Sequence, residues 1–351
     1  MAITLKICDD QKEWDSLVEK SPHGTIFHTW KFLKIMENHS KIRVFGNNYR
    51  SKLYPMIGLR GSNPIGIYPL FYYDSFFIRY VFSPPLGTGV TYQGPLIVYY
   101  DNLKQSKKES YLIDLQKSLD KFITLKLRSN FIKVRTSPGL IDARPFLWSN
   151  YTVELLYNYE INLQNRLDEI LNSFPKSRRK NIKRTEKSGL SVSEGSKKEI
   201  EFVFESLKNR YQAQSINPEL DKYYLFNVYK AFYSDNLRVF VVKKDERYLA
   251  GVVLLMYNKR VHVWLGCTKT SISGLYPNDL LLWECIKWAH NEGYEIFELT
   301  WANTYRLCRY KSRYNPLLSL YFSCEKYSPF ISFLHSIKKK IKPDESKHLK
   351  L

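Results

Sequence analysis

The chain has 351 residues, of which 44% are hydrophobic and 15% aromatic, enough for one to three globular domains with large cores that need no disulfides. Five cysteines at least 16 positions apart have neither disulfide-framework nor zinc spacing, no charged-then-apolar leader opens the chain, and no apolar run nears the ~20 residues that span a bilayer. A disulfide scaffold, a structural zinc module, a secreted protein and a membrane-spanning protein are thereby set aside, and a cytoplasmic protein, at most peripheral to a membrane, is expected; its net charge of +20 favours a polyanionic partner, with general solubility charge as the other reading.

In chain order, Trp30 to Asn38 reads as a helix, and Tyr54 to Leu59 and Ile65 to Tyr72 as strands parted by the turn signal Gly61-Ser62-Asn63-Pro64. A Pro/Gly loop over Ser83 to Gly89 precedes a strand at Leu96 to Tyr100. Ser110 to Lys126 has helical period, with Leu112, Leu115, Leu119 and Ile123 on one stripe, and Phe131 to Arg135 is a further strand. The second half repeats this flavour. Leu237 to Val242, Tyr248 to Tyr257 and Val261 to Gly266 are three β-rich runs separated by polar turns. Asp279 to Asn291 is an amphipathic helix with Leu282, Ile286 and Ala289 on one face; Gly293 ends it, and Ile296 to Leu299 is a short strand. The economical explanation is a duplicated α/β lobe with its seam near Trp148 to Tyr159. The expected division is 1–150, 151–325 and a tail at 326–351.

Charge is concentrated rather than spread. Lys176 to Leu190 carries seven basic residues against one acid, Trp301 to Asn315 four against none, and Lys338 to Leu351 six against two, which together is 14 of the 20 excess charges. A helix over 175–189, following Pro175 and ending at Gly189, places Lys176, Arg179, Lys180, Lys183, Arg184 and Lys187 on one broad face, with Arg178 beside it. Arg178, Arg179, Lys180, Lys183 and Arg184 are the candidate polyanion-binding set, against the reading of a solvated helix. In the tail, Phe330, Ile331, Phe333, Leu334 and Ile337 are followed by Lys338, Lys339, Lys340 and Lys342, an apolar-then-basic order suited to an anionic membrane face, or to packing back on the first lobe.

Several segments, in order and spacing, resemble the FemAB-like acyltransferases, a tandem-GNAT family. They are FHTWKFLKIME (27–37), IGIYPLF (65–71), TYQGPLI (91–97), FPKSRRKNIKRTEKSGLSV (174–192), AGVVLLMYNKRVHVWLGCT (250–268), YPNDLLLWECIKWAHNEGYEIFELTWA (276–302) and YKSRYNP (310–316). The resemblance implies an α/β (α+β) fold of two GNAT-like lobes, each a mixed, mostly antiparallel sheet flanked by helices. It also implies transfer of an acyl group from acyl-CoA or aminoacyl-tRNA to an amine of a cell-envelope or polysaccharide precursor, without a metal. Cys267 to Asn278 departs from the pattern: it has only Gly274 and lacks the Arg/Gln-x-x-Gly-x-Gly/Ala pyrophosphate loop of GNAT enzymes. The alternative is a non-catalytic RNA- or tRNA-binding protein of the same fold.

Acyl transfer needs a neutral amine, a donor carbonyl about 3 Å away and a hydrogen-bond donor for the developing oxyanion. Backbone N–H groups over Trp264 to Cys267 are placed to supply the last. Glu298 and His262 are the candidate bases, with Glu298 preferred because Phe297 and Leu299 flank it near a strand end. Trp264, Tyr276, Asn278 and Trp301 are candidate substrate contacts. Arg306, Arg309, Lys311 and Arg313, interleaved with Tyr305, Tyr310 and Tyr314, are the candidate site for anionic groups of the acceptor; the resemblance matches Lys311 to the family's lysine in this segment. No Gly-x-Ser-x-Gly elbow and no Gly-x-x-x-x-Gly-Lys-Ser/Thr loop occurs, so direct attack in a ternary complex is the expected route.

Overall fold

A computed structural model describes residues 3–213, 220–268, 272, 274–329 and 331. The chain divides into two compact units, 1–156 with 320–351, and 157–319.

The first unit begins with β1 (Thr4–Ile7), α1 (Gln11–Glu19) and α2 (Trp30–His39), then the hairpin β2 (Lys41–Val44) and β3 (Asn47–Arg50). Asp10 caps α1, its carboxylate accepting from the Lys12 and Glu13 amides, so Trp14, Leu17 and Val18 start on the buried face. β4 (Lys52–Arg60), β5 (Asn63–Ser75) and β6 (Ile78–Ser83) form an antiparallel meander, and β7 (Leu96–Ile97) adds to β5. The strand expected over Leu96 to Tyr100 stops there, because the chain turns into a short 3-10 helix at Tyr100–Asn102. α3 (Gln105–Lys121) lays Leu112, Leu115 and Leu119 into the core and leads to β8 (Phe131–Arg135), which runs parallel to β6. α4 (Arg144–Trp148) follows.

The second unit opens on the later residues of β9 (Thr152–Asn162), then α5 (Leu167–Ser173), α6 (Lys176–Glu186), β10 (Ser191–Glu194), α7 (Lys197–Ala213) and α8 (Lys222–Phe232). β11 (Leu237–Lys244), β12 (Arg247–Tyr257) and β13 (Arg260–Thr268) are a second antiparallel meander. α9 (Pro277–Asn291) crosses to β14 (Ile296–Leu299), parallel to β13, and β14 pairs antiparallel with residues 159–162 of β9. Gly293, at φ +79°, supplies the left-handed residue that ends α9. The sheet order of this unit is β9-β14-β13-β12-β11-β10. Its core gathers Phe174, Ile182, Val252, Leu254, Trp283, Ile286 and Phe297 beneath α6 and α9. α10 (Tyr305–Lys311), in a segment with no predicted element, precedes β15 (Leu317–Tyr327), whose residues 323–327 pair with β8.

Each unit is therefore a mixed, mostly antiparallel sheet with one parallel pair, and the strand beside that pair is drawn from far along the chain. The first unit runs β1-β4-β5-β6-β8-β15, so Leu320 to Glu325, expected in the second lobe, and Lys326 and Tyr327, expected in the tail, belong to it. A strand's own composition carries no mark of the distant partner it pairs with, which is why this exchange was not readable. Among the described residues, no helix is long and apolar enough to cross a membrane. The apolar-then-basic tail, apart from Ile331, lies outside the described residues.

Candidate active site

The opening in the second unit is set by where β13 and β14 stop pairing. Their parallel register covers only Arg260–His262 against 296–298, after which β13 continues to Thr268 while β14 ends at Leu299. Against β12, the register slips between Val253 and Leu254, whose partners are Leu265 and Val263, so Trp264 is the extra residue of a β-bulge. A bulge twists the strand locally and accentuates the divergence. In an antiparallel ladder only alternate amides face the partner strand, so beyond His262 some β13 amides face the open side. The Thr300 hydroxyl closes the base of the opening by donating to the Val263 carbonyl at 2.7 Å. Trp264 itself is buried, its ring edge-on to Tyr224 of α8 at 6.2 Å.

Below the divergence lies a polar ladder. His262 and Glu298 are register partners on adjacent strands, both 0% exposed, with His262 Nδ1 3.0 Å from Glu298 Oε2. Asn158 Nδ2 donates to Glu298 Oε1, and Arg260 reaches Glu160 at 3.0 Å and Glu298 at 4.0 Å. The cause is register: Glu298 sits opposite both His262 and Glu160, so a charge ladder assembles across three strands. Glu298, the expected base, is thus buried, with Oε1 accepting from Asn158 and Oε2 beside His262.

Lys311 reaches the end of β14. From α10 its Nζ donates to the Thr300 and Trp301 carbonyls, the first two residues past β14; the second contact is 3.2 Å. Trp301 makes this approach by adopting φ +63°. Burial pushes Lys311 down to about 8, with Arg210 acting in the same direction, while Cys308 and Glu298 pull the other way. Lys311 therefore loses its proton at lower pH than an exposed lysine does.

The four cations expected to bind anionic groups of the acceptor do not share one face. Arg306 and Arg309 are exposed one helical turn apart on α10, Lys311 turns inward, and Arg313 donates to Ser177 Oγ of α6 at 2.8 Å. Tyr305 is exposed, while Tyr310 and Tyr314 face the interior.

Arg178 requires a larger correction. It was counted with the polyanion-binding set, yet its side chain is 1% exposed. Its guanidinium donates to Asp279 Oδ1, to the Tyr314 hydroxyl at 3.2 Å and to the Tyr310 carbonyl at 3.0 Å, and lies over the Tyr314 ring at 4.2 Å. Asn181 Nδ2 reaches the other Asp279 oxygen at 3.4 Å, and burial together with Asp279 pushes the Tyr310 hydroxyl up to about 12. Helical period puts Arg178, Ile182 and Thr185 on the buried side of α6. Lys180, Lys183 and Arg184 are exposed, as are Lys176 and Lys187, and Arg179 is held by Asn172 at 3.1 Å. Asp279, which the sequence reading passed over, stands in the first turn of α9 behind Pro277. An acid just inside a predicted helix start was the signal that could have found it.

Tyr276 and Asn278 flank that same helix start. The Tyr276 amide donates to Thr185 Oγ1 at 3.1 Å and Arg184 lies over its ring at 5.5 Å, while Asn278 is half-buried. The first turn of α9, where a GNAT enzyme would seat a pyrophosphate against helix amides, carries the buried acid that pairs with Arg178. Among the described residues, no group of three His, Cys, Asp or Glu side chains is placed to hold a metal.

Residues 176–312 match the family of acetyltransferase (GNAT) domains. No curated protein matches the chain. Among solved structures, FemX superposes with a TM-score of 0.68 at 14% identity, covering 95% of this chain and 99% of FemX. The C-terminal domain (DUF2156) of a putative lysylphosphatidylglycerol synthetase from Agrobacterium fabrum gives 0.54 at 10% identity, over 95% and 96% of the two chains. A tandem GNAT protein from the clavulanic acid biosynthesis pathway gives 0.50 at 9% identity, over 93% and 98%. At these identities the likeness is one of fold, and it extends over nearly the whole length of each chain. With its GNAT domain and two units of like topology, the chain has the architecture of the FemAB-like tandem-GNAT proteins.

Proposed function

We propose that the protein is an N-acyltransferase that moves an acyl or aminoacyl group to an amine of a cell-envelope or polysaccharide precursor by direct attack. The observation that carries this reading is Lys311, a lysine of lowered pKa whose amine is fixed at the divergence of β13 and β14. The donor carbonyl enters the opening, and β13 amides past His262 receive its oxygen as charge develops there. The acceptor amine attacks the carbonyl carbon, a C–N bond forms, and the bond from that carbon to the donor's oxygen or sulfur breaks. The neutral Lys311 amine takes the proton lost by the attacking nitrogen, and the departing oxygen or sulfur takes a proton in turn. Arg306 and Arg309, exposed beside Lys311, attract anionic groups of the acceptor. The Fem-like resemblance and a neighbour whose name joins a lysyl group to phosphatidylglycerol both favour a phosphate-bearing or lipid-linked precursor.

The donor favoured by the geometry is aminoacyl-tRNA rather than acyl-CoA. A pyrophosphate seated at α9 would bring negative charge close to the Asp279 carboxylate in its first turn. The exposed basic face of α6, Lys176, Lys180, Lys183, Arg184 and Lys187, suits a phosphate backbone. The test supplies labelled aminoacyl-tRNA or acetyl-CoA to the purified protein with an amine-bearing envelope precursor. Amine-dependent deacylation of the tRNA, abolished by Lys311→Met, is expected. Tight, salt-insensitive acetyl-CoA binding and turnover would reverse the donor assignment. Retention of tRNA with no turnover of either donor would make the protein an RNA-binding module of the same fold.

A further inference from the structure

Two hairpin tips of the first unit carry three phenylalanines where the chain should place small or polar residues. Phe45, in the two-residue loop between β2 and β3, is 81% exposed; Phe76 and Phe77, the loop between β5 and β6, are 82% and 69% exposed. The rings form one patch, Phe45 edge-on to Phe77 at 6.1 Å and Phe76 edge-on to Phe77 at 5.0 Å. Phe45 has φ +46° and Phe76 φ +54°, a region bulky side chains rarely enter and two-residue hairpin loops fill with Gly, Asn or Asp. The fold thus accepts backbone strain and exposed apolar surface at the same two points. Strain concentrated in this way marks a functional surface rather than a packing need.

The surroundings say which surface. The segment 41–52 that carries Phe45 holds Lys41, Arg43, Arg50 and Lys52, all exposed, and no acid. Asp74, in the strand leading to the second tip, is paired with Arg79 at 3.5 Å. Hairpin tips are convex points; their rings can enter a fluid acyl layer but bury little against a rigid protein face. Apolar tips with a cationic collar behind them match a bilayer interface bearing anionic headgroups.

We propose that Phe45, Phe76 and Phe77 form a membrane-inserting wedge through which the first unit binds anionic bilayers reversibly, with Lys41, Arg43, Arg50 and Lys52 meeting the headgroups. This does not depend on the transfer chemistry of the second unit, nor on the C-terminal tail.

The test is flotation of the full-length protein with phosphatidylcholine vesicles, with and without one quarter phosphatidylglycerol, at 0.1 and ~0.5 M salt, where screening shortens the reach of the collar. The wild type should float with the anionic vesicles, less with neutral ones, and less at high salt. Phe45→Asn, Phe76→Asn and Phe77→Ser combined should weaken partitioning ~100-fold, the consequence of withdrawing three partly inserted rings. Asn tolerates positive φ, so this variant should melt no lower than wild type; should it do so, Phe76→Asn alone carries the comparison and should weaken binding severalfold. Equal flotation of wild type and variant, or no flotation of the wild type, overturns the proposal. So does a wild type that dimerises without lipid through these residues while the triple variant is monomeric, because the patch is then a contact between copies.

Discussion

Replacing Arg178 by Met tests the reassignment of that residue from ligand contact to structural ion pair. The guanidinium is 1% exposed and Asp279 5%, so neither charge has water to fall back on. Arg178→Met keeps the aliphatic stem but leaves the Asp279 carboxylate buried with, among the described residues, Asn181, Tyr310 and Tyr314 as side-chain donors, each at 3.4 Å. It also removes the cation from the Tyr310 and Tyr314 rings, at 4.9 and 4.2 Å. Stranding one member of a buried pair costs ~3–5 kcal/mol, and at ~2–4 °C per kcal/mol for a domain of this size the melting temperature should fall by roughly 6–20 °C. Because α6 packs on α9 through this pair, loss should be cooperative across the second unit. Urea unfolding followed by circular dichroism measures it, and Arg178→Met with Asp279→Leu should recover most of the loss, since no charge is then left buried. Retention of tRNA by folded Arg178→Met should match wild type. A loss under ~1 kcal/mol, or a double variant no better than the single one, would refute the buried-pair reasoning.

Transfer activity should rise with pH through about 8 as Lys311 loses its proton; in Lys311→Met that inflection should vanish and turnover fall by ~10²–10⁴, the span of a lost general base. The same lowered pKa has a stability consequence: between about 8 and the ordinary 10.5 the unfolded chain binds more protons, so Lys311 makes wild-type stability increase with pH there, an increment that denaturant titrations at pH 8 and 10 should find missing in Lys311→Met. Charge removal at Lys180, Lys183 and Lys187 together should leave melting unchanged and reduce the slope of log affinity for tRNA against log salt by ~0.7–0.9 per lost phosphate contact, whereas an unchanged slope would return α6 to the role of a solvated helix. Glu298→Ala orphans the Asn158 amide and alters the His262 pairing, so a destabilisation of ~1–3 kcal/mol is expected; full stability with abolished transfer would instead mean that Glu298 meets substrate.

Sequence alone determined what local periodicity can carry. Phe131–Arg135 and Ile296–Leu299 are strands with the limits their alternation predicted, and α2, α6, α9, β4, β5, β11, β12 and β13 differ from expectation only by a few residues at their ends. These segments announce themselves because one face must be apolar at a period of 2 or 3.6, and that pattern is printed along the chain. The parallel pairing of β13 with β14, the bulge at Trp264 and the allocation of β15 to the first unit depend on partners as far as Phe131 is from Tyr327, for which a strand has no local mark. Charge shows the same division. Four cations within Arg306–Arg313 look equivalent in sequence, yet helix phase and the two carbonyls past β14 turn Lys311 inward and leave Arg306 and Arg309 in water. Likewise Arg178 is one of seven basic residues between Lys176 and Leu190 until Asp279, 101 positions on, claims it across the packing of α6 on α9. A side chain's type is written in the sequence, but whether its charge faces water, a partner or a substrate depends on the dielectric and the neighbours that only the tertiary fold assembles.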